Sequence, residues 1–119
     1  MGNRKSVRAS SVLFRQGDEP EGVYMVIAGK VRLIIRNPET QVITFDRPAE
    51  PGSLLGLPAV FADRPYSMTA EVLEDSEVAY IGRSRFLAMM QADNLLCMRC
   101  LQLLSDEVRI ARGAIKTSG

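Results

Sequence analysis

The amino-acid sequence predicts a mainly β fold, a double-stranded β-helix (jelly-roll) barrel followed by a short helix and a long C-terminal helix. Its 119 residues suit a single domain, 1–119, with a well-formed core. Short β-favouring apolar runs alternate with turn residues as far as Gly82, and apolar residues at helical spacing follow. We therefore expect the barrel at about 5–82 and the helical segment at 84–115.

Most barrel strands are predicted from a β-favouring apolar run that is followed by a turn with glycine, proline or asparagine. Gly29 separates two of these runs, which we expect to pair as a hairpin, and Pro48 is expected to stop the run after them. The polar start of the chain, with Arg4, Lys5 and Arg8, is expected to be a frayed, solvated end. The predicted strands are 13–14, 23–27, 31–35, 42–45, 68–72 and 77–81.

Two helices are predicted after the barrel. Ser84 suits the N-cap of the short helix, and Asp93 or Asn94 suits that of a longer helix that runs to about Ile115. The long helix carries two apolar rows, one of which can cover the barrel while the other meets a partner chain. We predict a homodimer; the alternative is one wide face packed on its own domain. The row assigned to the dimer interface is Cys97, Leu101, Leu104, Val108, Ala111 and Ile115.

Composition excludes several classes of function. Fifteen basic and fourteen acidic residues give a net charge of +1, so no field attracts nucleic acid, and we expect no direct nucleic-acid contact by this chain. No apolar run approaches the ~18 residues of a membrane span. Histidine is absent, which removes Ser-His-Asp and Cys-His chemistry and most metal sites. We expect no enzyme activity, no cofactor and no metal.

Two cysteines without a disulfide framework indicate a reducing, cytoplasmic setting. Cys97 and Cys100 lie one helical turn apart, so four thiolates from a dimer would in principle hold zinc or an iron–sulfur cluster. We favour small buried apolar side chains, because free cysteine is among the most buried residue types.

Four segments, in order and at the right spacing, carry a family resemblance: Leu13–Asp18, Val23–Gly29, Leu55–Val60 and Tyr66–Ala70. They resemble the cyclic nucleotide-binding domain, and the pattern is most similar to regulators of the Crp/Fnr type. The resemblance implies a sensor barrel, a long dimer helix and then a DNA-binding domain. This chain ends where the DNA-binding domain would begin. We therefore expect a fragment or a stand-alone sensor module, with no DNA-binding domain present.

The resemblance also identifies a phosphate-binding cassette that has lost its two charged residues. Leu57 stands where the family has a glutamate that accepts from the ribose hydroxyl. Tyr66 stands where the family has an arginine that forks onto the cyclic phosphate. The resemblance therefore implies that cyclic AMP is not bound with normal affinity. The candidate pocket is Leu55, Gly56, Leu57, Pro58, Ala59, Arg64, Tyr66, Ser67, Met68 and Thr69.

Arg64 and Tyr66 are the two residues that would take the place of the lost charges in contacting a ligand. Arg64 would reach an anion if its loop folds inward, although a loop arginine is usually solvated. Tyr66 would suit a planar or apolar effector, or it would be a core tyrosine that closes the pocket. Ser67 and Thr69 would donate to a ligand or pair locally.

Two functions remain. The first is a non-enzymatic small-ligand sensor, like the effector domain of Crp/Fnr-type regulators, that binds an unknown effector or none. The second is a ligand-free structural or protein-interaction scaffold that dimerises through its C-terminal helix, and a pocket closed at Tyr66 would favour it. A metal-dependent enzyme on the same kind of barrel would need histidine ligands that the chain lacks.

Overall fold

The structure is a computed structural model that describes residues 3–99 and 102. Within them the chain forms eight strands and two helices, and residues 94–99 are helical as well. The strands are β1 (Asn3–Val7), β2 (Val12–Phe14), β3 (Gly22–Ala28), β4 (Val31–Arg36), β5 (Ile43–Ala49), β6 (Leu54–Leu55), β7 (Thr69–Val72) and β8 (Ser76–Gly82); the helices are α1 (Leu57–Ala62) and α2 (Arg83–Ala92).

The strands form two four-stranded sheets, in the orders β1-β8-β3-β6 and β2-β7-β4-β5. Every pairing is antiparallel. Alternate side chains of each sheet face a shared core, as Val31 and Leu33 do from β4, because successive residues of a strand point to opposite faces. The predicted mainly β architecture is confirmed.

The predicted hairpin at Gly29 is wrong. β3 pairs with β8 and β6, whereas β4 pairs with β5 and β7, so the two runs belong to different sheets. Gly29, with φ of 99°, carries the chain from one sheet to the other. Both runs bury apolar side chains, and a crossing between sheets covers them where a two-stranded ribbon would not.

The first strand and the fifth also differ from expectation. The polar start of the chain is not frayed: β1 pairs with β8, and the Arg4 guanidinium lies 2.9 Å from the Glu77 carboxylate. β5 continues beyond the predicted 42–45 to Ala49, so that it ends, as expected, near Pro48. β5 is an edge strand, and an edge strand tolerates proline because one of its sides needs no backbone donor.

The N-cap of α2 lies two residues before the predicted position, whereas the next helical segment has its cap at a predicted position. α2 starts at Arg83, with Gly82 at the N-cap position and no side-chain cap, so the prediction for Ser84 is wrong. Asp93 is confirmed as a cap, since its Oδ1 accepts a hydrogen bond of 3.1 Å from the Leu96 N–H.

Helices α1 and α2 share a second apolar cluster, formed by Val23, Leu57, Val60, Phe86 and Met90. Leu96 and Cys97 pack against this cluster from the next helical segment. Cys97 is half-buried. The other residues of the predicted dimer row, from Leu101 to Ile115, lie outside the described residues.

In the part of the chain that the structure describes, no helix combines the length and the apolar character that crossing a membrane requires. Within the same residues no three Cys, Asp or Glu side chains are grouped as a metal site would need.

The crossing at Gly29 gives a first prediction. A Cβ at this residue would lie 2.7 Å from the Ser76 Cα, whereas Gly52, with φ of 95°, has open space around the same position. Both Gly29→Ala and Gly52→Ala carry the strain of positive φ, about 1–2 kcal/mol. Only Gly29→Ala must also displace the β8 backbone. We expect it to lower the free energy of unfolding in urea by at least twice as much as Gly52→Ala, and equal losses would contradict this account of the crossing.

Candidate functional site

The cassette predicted from the sequence runs through β6, Gly56, helix α1 and the loop that leads to β7. Gly56 adopts φ of 90° at the N-cap position of α1. A Cβ there would lie 2.9 Å from the Tyr66 ring and 3.1 Å from the Gly22 carbonyl oxygen. Glycine is therefore needed at this position both for its backbone conformation and for the close approach of the cassette to Tyr66.

Tyr66 lies inside the barrel with 4% of its surface exposed. Its ring stacks on Phe14 at a centroid distance of 4.1 Å. Its hydroxyl donates to the Gly22 carbonyl at 2.6 Å and accepts from the Gly22 N–H at 3.1 Å. The same residue is thus held by an aromatic contact and by both polar backbone atoms of the first residue of β3.

The backbone of Tyr66 is fixed as firmly as its side chain. The Tyr66 N–H donates to the Asp18 carbonyl at 2.9 Å, and the Gly17 N–H donates to the Tyr66 carbonyl at 2.8 Å. These bonds join the cassette loop to the turn between β2 and β3. Tyr66 therefore connects the cassette loop to the β2–β3 turn and to the start of β3, which begins 44 residues earlier in the chain.

The phenols near this site stay neutral over the physiological pH range. Burial raises the pKa of Tyr66, and burial together with the nearby Tyr80 raises the pKa of Tyr24 to about 12. A neutral hydroxyl both donates and accepts. The protonated state of Tyr66 is therefore the one that its two bonds to Gly22 require.

The space left at the cassette is about 10 Å³, about the room that one water molecule needs. Ligand pockets are usually ~300–1,000 Å³. Tyr66 and its neighbours fill this interior, and no volume for a nucleotide remains there in this conformation. The lining residues are Phe14, Leu33, Gly56, Pro58, Ala59, Tyr66, Ser67 and Met68.

Leu57 faces away from this cavity. It is fully buried and packs with Val60, Phe86 and Met90 in the cluster between the two helices. The position assigned to the family's glutamate is thus occupied by a core residue that fastens α1 to α2.

The remaining candidate residues are divided among several environments. Arg64 and Ser67 are exposed, and Arg64 does not line the cavity. Leu55 belongs to the barrel core, and the Thr69 hydroxyl oxygen accepts from the Gln16 N–H at 2.9 Å.

Phe14 and Leu33 line the cavity, although sequence reasoning did not include them. Their only signal in the sequence is their place in apolar runs, and a strand pattern does not say which interior position faces the cassette.

Residues 4–93 match the family model for the cyclic nucleotide-binding domain. The chain belongs to this family. Its structural neighbours are regulators of the Crp/Fnr type. In this cyclic nucleotide-binding domain, the cassette frame is retained while Tyr66 occupies the interior that the frame surrounds.

Three relatives illustrate the similarity. The cyclic AMP receptor protein of Thermus thermophilus is 30% identical over 99 residues, which are 83% of this chain and 45% of that protein. The crystal structure of the Thermus thermophilus catabolite activator protein matches with a TM-score of 0.82 and 26% identity, over 98% of this chain and 54% of that one. Lysophospholipase nte1 of Aspergillus fumigatus is 25% identical over 103 residues, which are 87% of this chain but 7% of that protein. The chain thus spans between 7% and 54% of the length of these three relatives.

A larger cleft of the domain lies away from the cassette cavity, between the β2–β3 turn and the β4–β5 hairpin. Its volume is about 580 Å³. The Gln16 carboxamide braces the cleft, since it donates to the Arg36 carbonyl and accepts from the Arg36 N–H, each at 2.9 Å. The cleft is lined by Val12, Arg15, Gln16, Gly17, Arg36, Pro38, Gln41, Thr69 and Glu71.

The two bonds of the Tyr66 hydroxyl give a second prediction. Tyr66→Phe keeps the stacked ring but leaves the buried N–H and C=O of Gly22 without this partner, which is expected to lower the free energy of unfolding by about 1–3 kcal/mol. Tyr80→Phe is the matched control, because its hydroxyl donates to an exposed acceptor, the Glu21 carbonyl, at 3.1 Å. Urea denaturation of the two variants measures the difference. A loss in Tyr66→Phe no larger than in Tyr80→Phe would show that the Gly22 bonds do not hold the site.

Proposed function

We propose that this domain is a non-enzymatic regulatory module whose effector pocket is occupied by its own Tyr66. The domain then holds one state without cyclic nucleotide and acts as a structural or protein-interaction scaffold that dimerises through the helix after Asp93. The observation that supports this proposal is the position of Tyr66. Its hydroxyl bonds to both polar backbone atoms of Gly22, and a cavity of only about 10 Å³ is left between it and the cassette residues Gly56, Pro58 and Ala59.

The binding free energy that remains for a cyclic nucleotide is also small. Loss of one partner from a buried ion pair costs about 3–5 kcal/mol, and loss of a hydrogen bond to a charged group costs about 1.5–3 kcal/mol. A micromolar ligand has only about 8 kcal/mol of binding free energy in all. A cyclic nucleotide would also have to displace Tyr66 from Gly22 and Phe14. We therefore expect dissociation constants for cyclic AMP and cyclic GMP in the millimolar range or above.

The interaction surface in this proposal is the helix that follows Asp93, and its partner is a second copy of the chain in the cytoplasm. The described start of that helix exposes Leu95 by 69% and Met98 by 66%. These two residues lie on a neighbouring row to Cys97, which packs against its own domain. Lysophospholipase activity does not form part of the proposal, because this chain corresponds to 7% of that relative.

Calorimetric titration with cyclic AMP and with cyclic GMP tests the proposal. We expect no saturable heat with the wild-type domain up to about 1 mM ligand, a concentration that detects any binding free energy above about 4 kcal/mol. Tyr66→Arg removes the phenol that fills the cavity and supplies a guanidinium, so this variant is expected to bind cyclic nucleotide measurably. Val42→Arg is the control, because it adds the same charge at a position that is 58% exposed. Micromolar binding by the wild-type domain would overturn the proposal.

A second candidate function, a sensor for a different small ligand, is favoured by the cleft of about 580 Å³. That volume lies within the usual range for ligand sites, and its lining carries two guanidinium groups and one carboxylate. The Arg36 guanidinium lies 3.7 Å from the Glu71 carboxylate, which partly neutralises its charge. Arg15 is therefore the group expected to attract an anionic ligand.

A thermal-shift screen with phosphorylated and carboxylate metabolites tests this second candidate. A ligand of the cleft is expected to raise the melting temperature of the wild-type domain and to have a smaller effect on Arg15→Gln, while Arg8→Gln, on the exposed loop before β2, behaves as wild type. If no metabolite stabilises the domain, or if Arg15→Gln responds fully, the cleft is not a sensor site.

A further inference from the structure

Strand β5 places an arginine on the inner face of its sheet. Phe45 and Ala49 both pack in the barrel core, and Arg47 lies between them at the same strand spacing, so its side chain leaves the same face. Arg47 is directly opposite Leu33 in the β4–β5 pairing. Leu33 is one of the residues that line the cassette cavity. Arg47 therefore belongs to the interior side of the barrel and not to its solvent face.

The Nε atom of Arg47 is buried and has no hydrogen-bond partner among the described residues. The ion pairs found in that part of the chain involve Arg4, Arg32, Arg36 and Arg83, and not Arg47. Arg32 of the neighbouring strand shows the contrast, since its Nε donates to Asp46 at 3.1 Å. The arginine on the outer face is satisfied, and the one on the inner face is not.

A buried donor on a permanently charged group is costly to leave without an acceptor. Nearly all buried polar atoms of folded proteins have a partner, and each exception needs an explanation. Arg47 as a whole is only half-buried, so part of the side chain is open to solvent. These facts together call for an acceptor that comes to Arg47 from outside residues 3–99.

The atom that lacks a partner also indicates the shape of that acceptor. Nε and the adjacent amino group of a guanidinium present two parallel N–H donors, and two oxygens of one oxyanion accept from both at once. A neutral carbonyl or a halide would accept from only one of these two N–H groups. An oxyanion also neutralises the charge.

We propose that Arg47 binds a small free oxyanion of the phosphate, sulfate or carboxylate class at the inner face of β5. The inference goes beyond the proposed function, which concerns the cyclic nucleotide pocket at Tyr66. The site differs from the cleft at Arg15, because Arg47 does not line that cleft. A bound oxyanion is expected to stabilise the edge of the second sheet, where β5 lies.

Nuclear magnetic resonance of the arginine Nε–H groups tests the proposal directly. Inorganic phosphate is titrated into the intact 119-residue chain at constant ionic strength, with sodium chloride as the balancing salt. The Arg47 Nε–H signal, assigned from its absence in Arg47→Lys, is expected to shift saturably. At tenfold excess of phosphate over the fitted dissociation constant, the unfolding equilibrium constant is expected to fall about elevenfold.

Matched variants locate the effect. Arg47→Met is expected to lose the stabilisation by phosphate, and Arg47→Lys, which keeps the charge but not the fork, is expected to retain only part of it. Arg15→Gln is expected to respond as the wild type does. If Arg47→Met does not fold, the wild-type titration and Arg47→Lys still decide the question.

Three outcomes would overturn the inference. The first is an Arg47 signal that phosphate does not move. The second is full phosphate stabilisation in Arg47→Met or its loss in Arg15→Gln. The third is an Arg47 signal that responds to Asp106→Asn or Glu107→Gln but not to phosphate, which would assign the acceptor to this chain's own carboxylates outside the described residues. The calorimetric test with cyclic AMP is independent, so failure of one proposal is distinguishable from failure of the other.

Discussion

The contact between the Tyr66 hydroxyl and Gly22 is the constraint on which the cassette depends. It joins the start of β3 to the loop between α1 and β7, and the backbone bonds of Tyr66 add the β2–β3 turn. The ring on Phe14 completes the closure. Because these bonds are buried, breaking them leaves polar atoms without water as a substitute. The geometry of the cassette is thus held by contacts within the protein itself.

Leu57 and Tyr66, the two positions at which the resemblance implies charged residues, serve the fold in different ways. Tyr66 fills the cavity and satisfies backbone groups there, whereas Leu57 turns away and packs between α1 and α2. A carboxylate at position 57 would be placed in an apolar cluster, where burial without a partner is costly. Leucine at position 57 therefore contributes a core contact, and tyrosine at position 66 fills space at the cassette.

The charged groups of the barrel lie around a mostly apolar interior. Arg32 pairs with Asp46 on the outer face, and Arg15 and Arg36 border the large cleft. Arg47 is the exception among the described residues, since its buried Nε has no partner there. Anion binding by this domain, where it occurs, is therefore expected to use arginines of the strands and turns and not of the cassette.

The mainly β class, most of the strand positions and a helix cap at Asp93 or Asn94 follow from the sequence alone, because each depends on local periodicity or on residue type at a fixed spacing. Strand partners were a different matter: the expected hairpin at Gly29 is a crossing between sheets, and the polar start of the chain is a paired strand. Pairing depends on contacts between residues far apart in the chain, which local propensity does not encode. The sequence also left open whether Tyr66 would meet an effector or close the pocket, and it gave no sign that Leu57 would face α2 or that Arg47 would point inward. The directions of these three side chains depend on the three-dimensional fold, because they follow from the register of a strand and the packing of a helix.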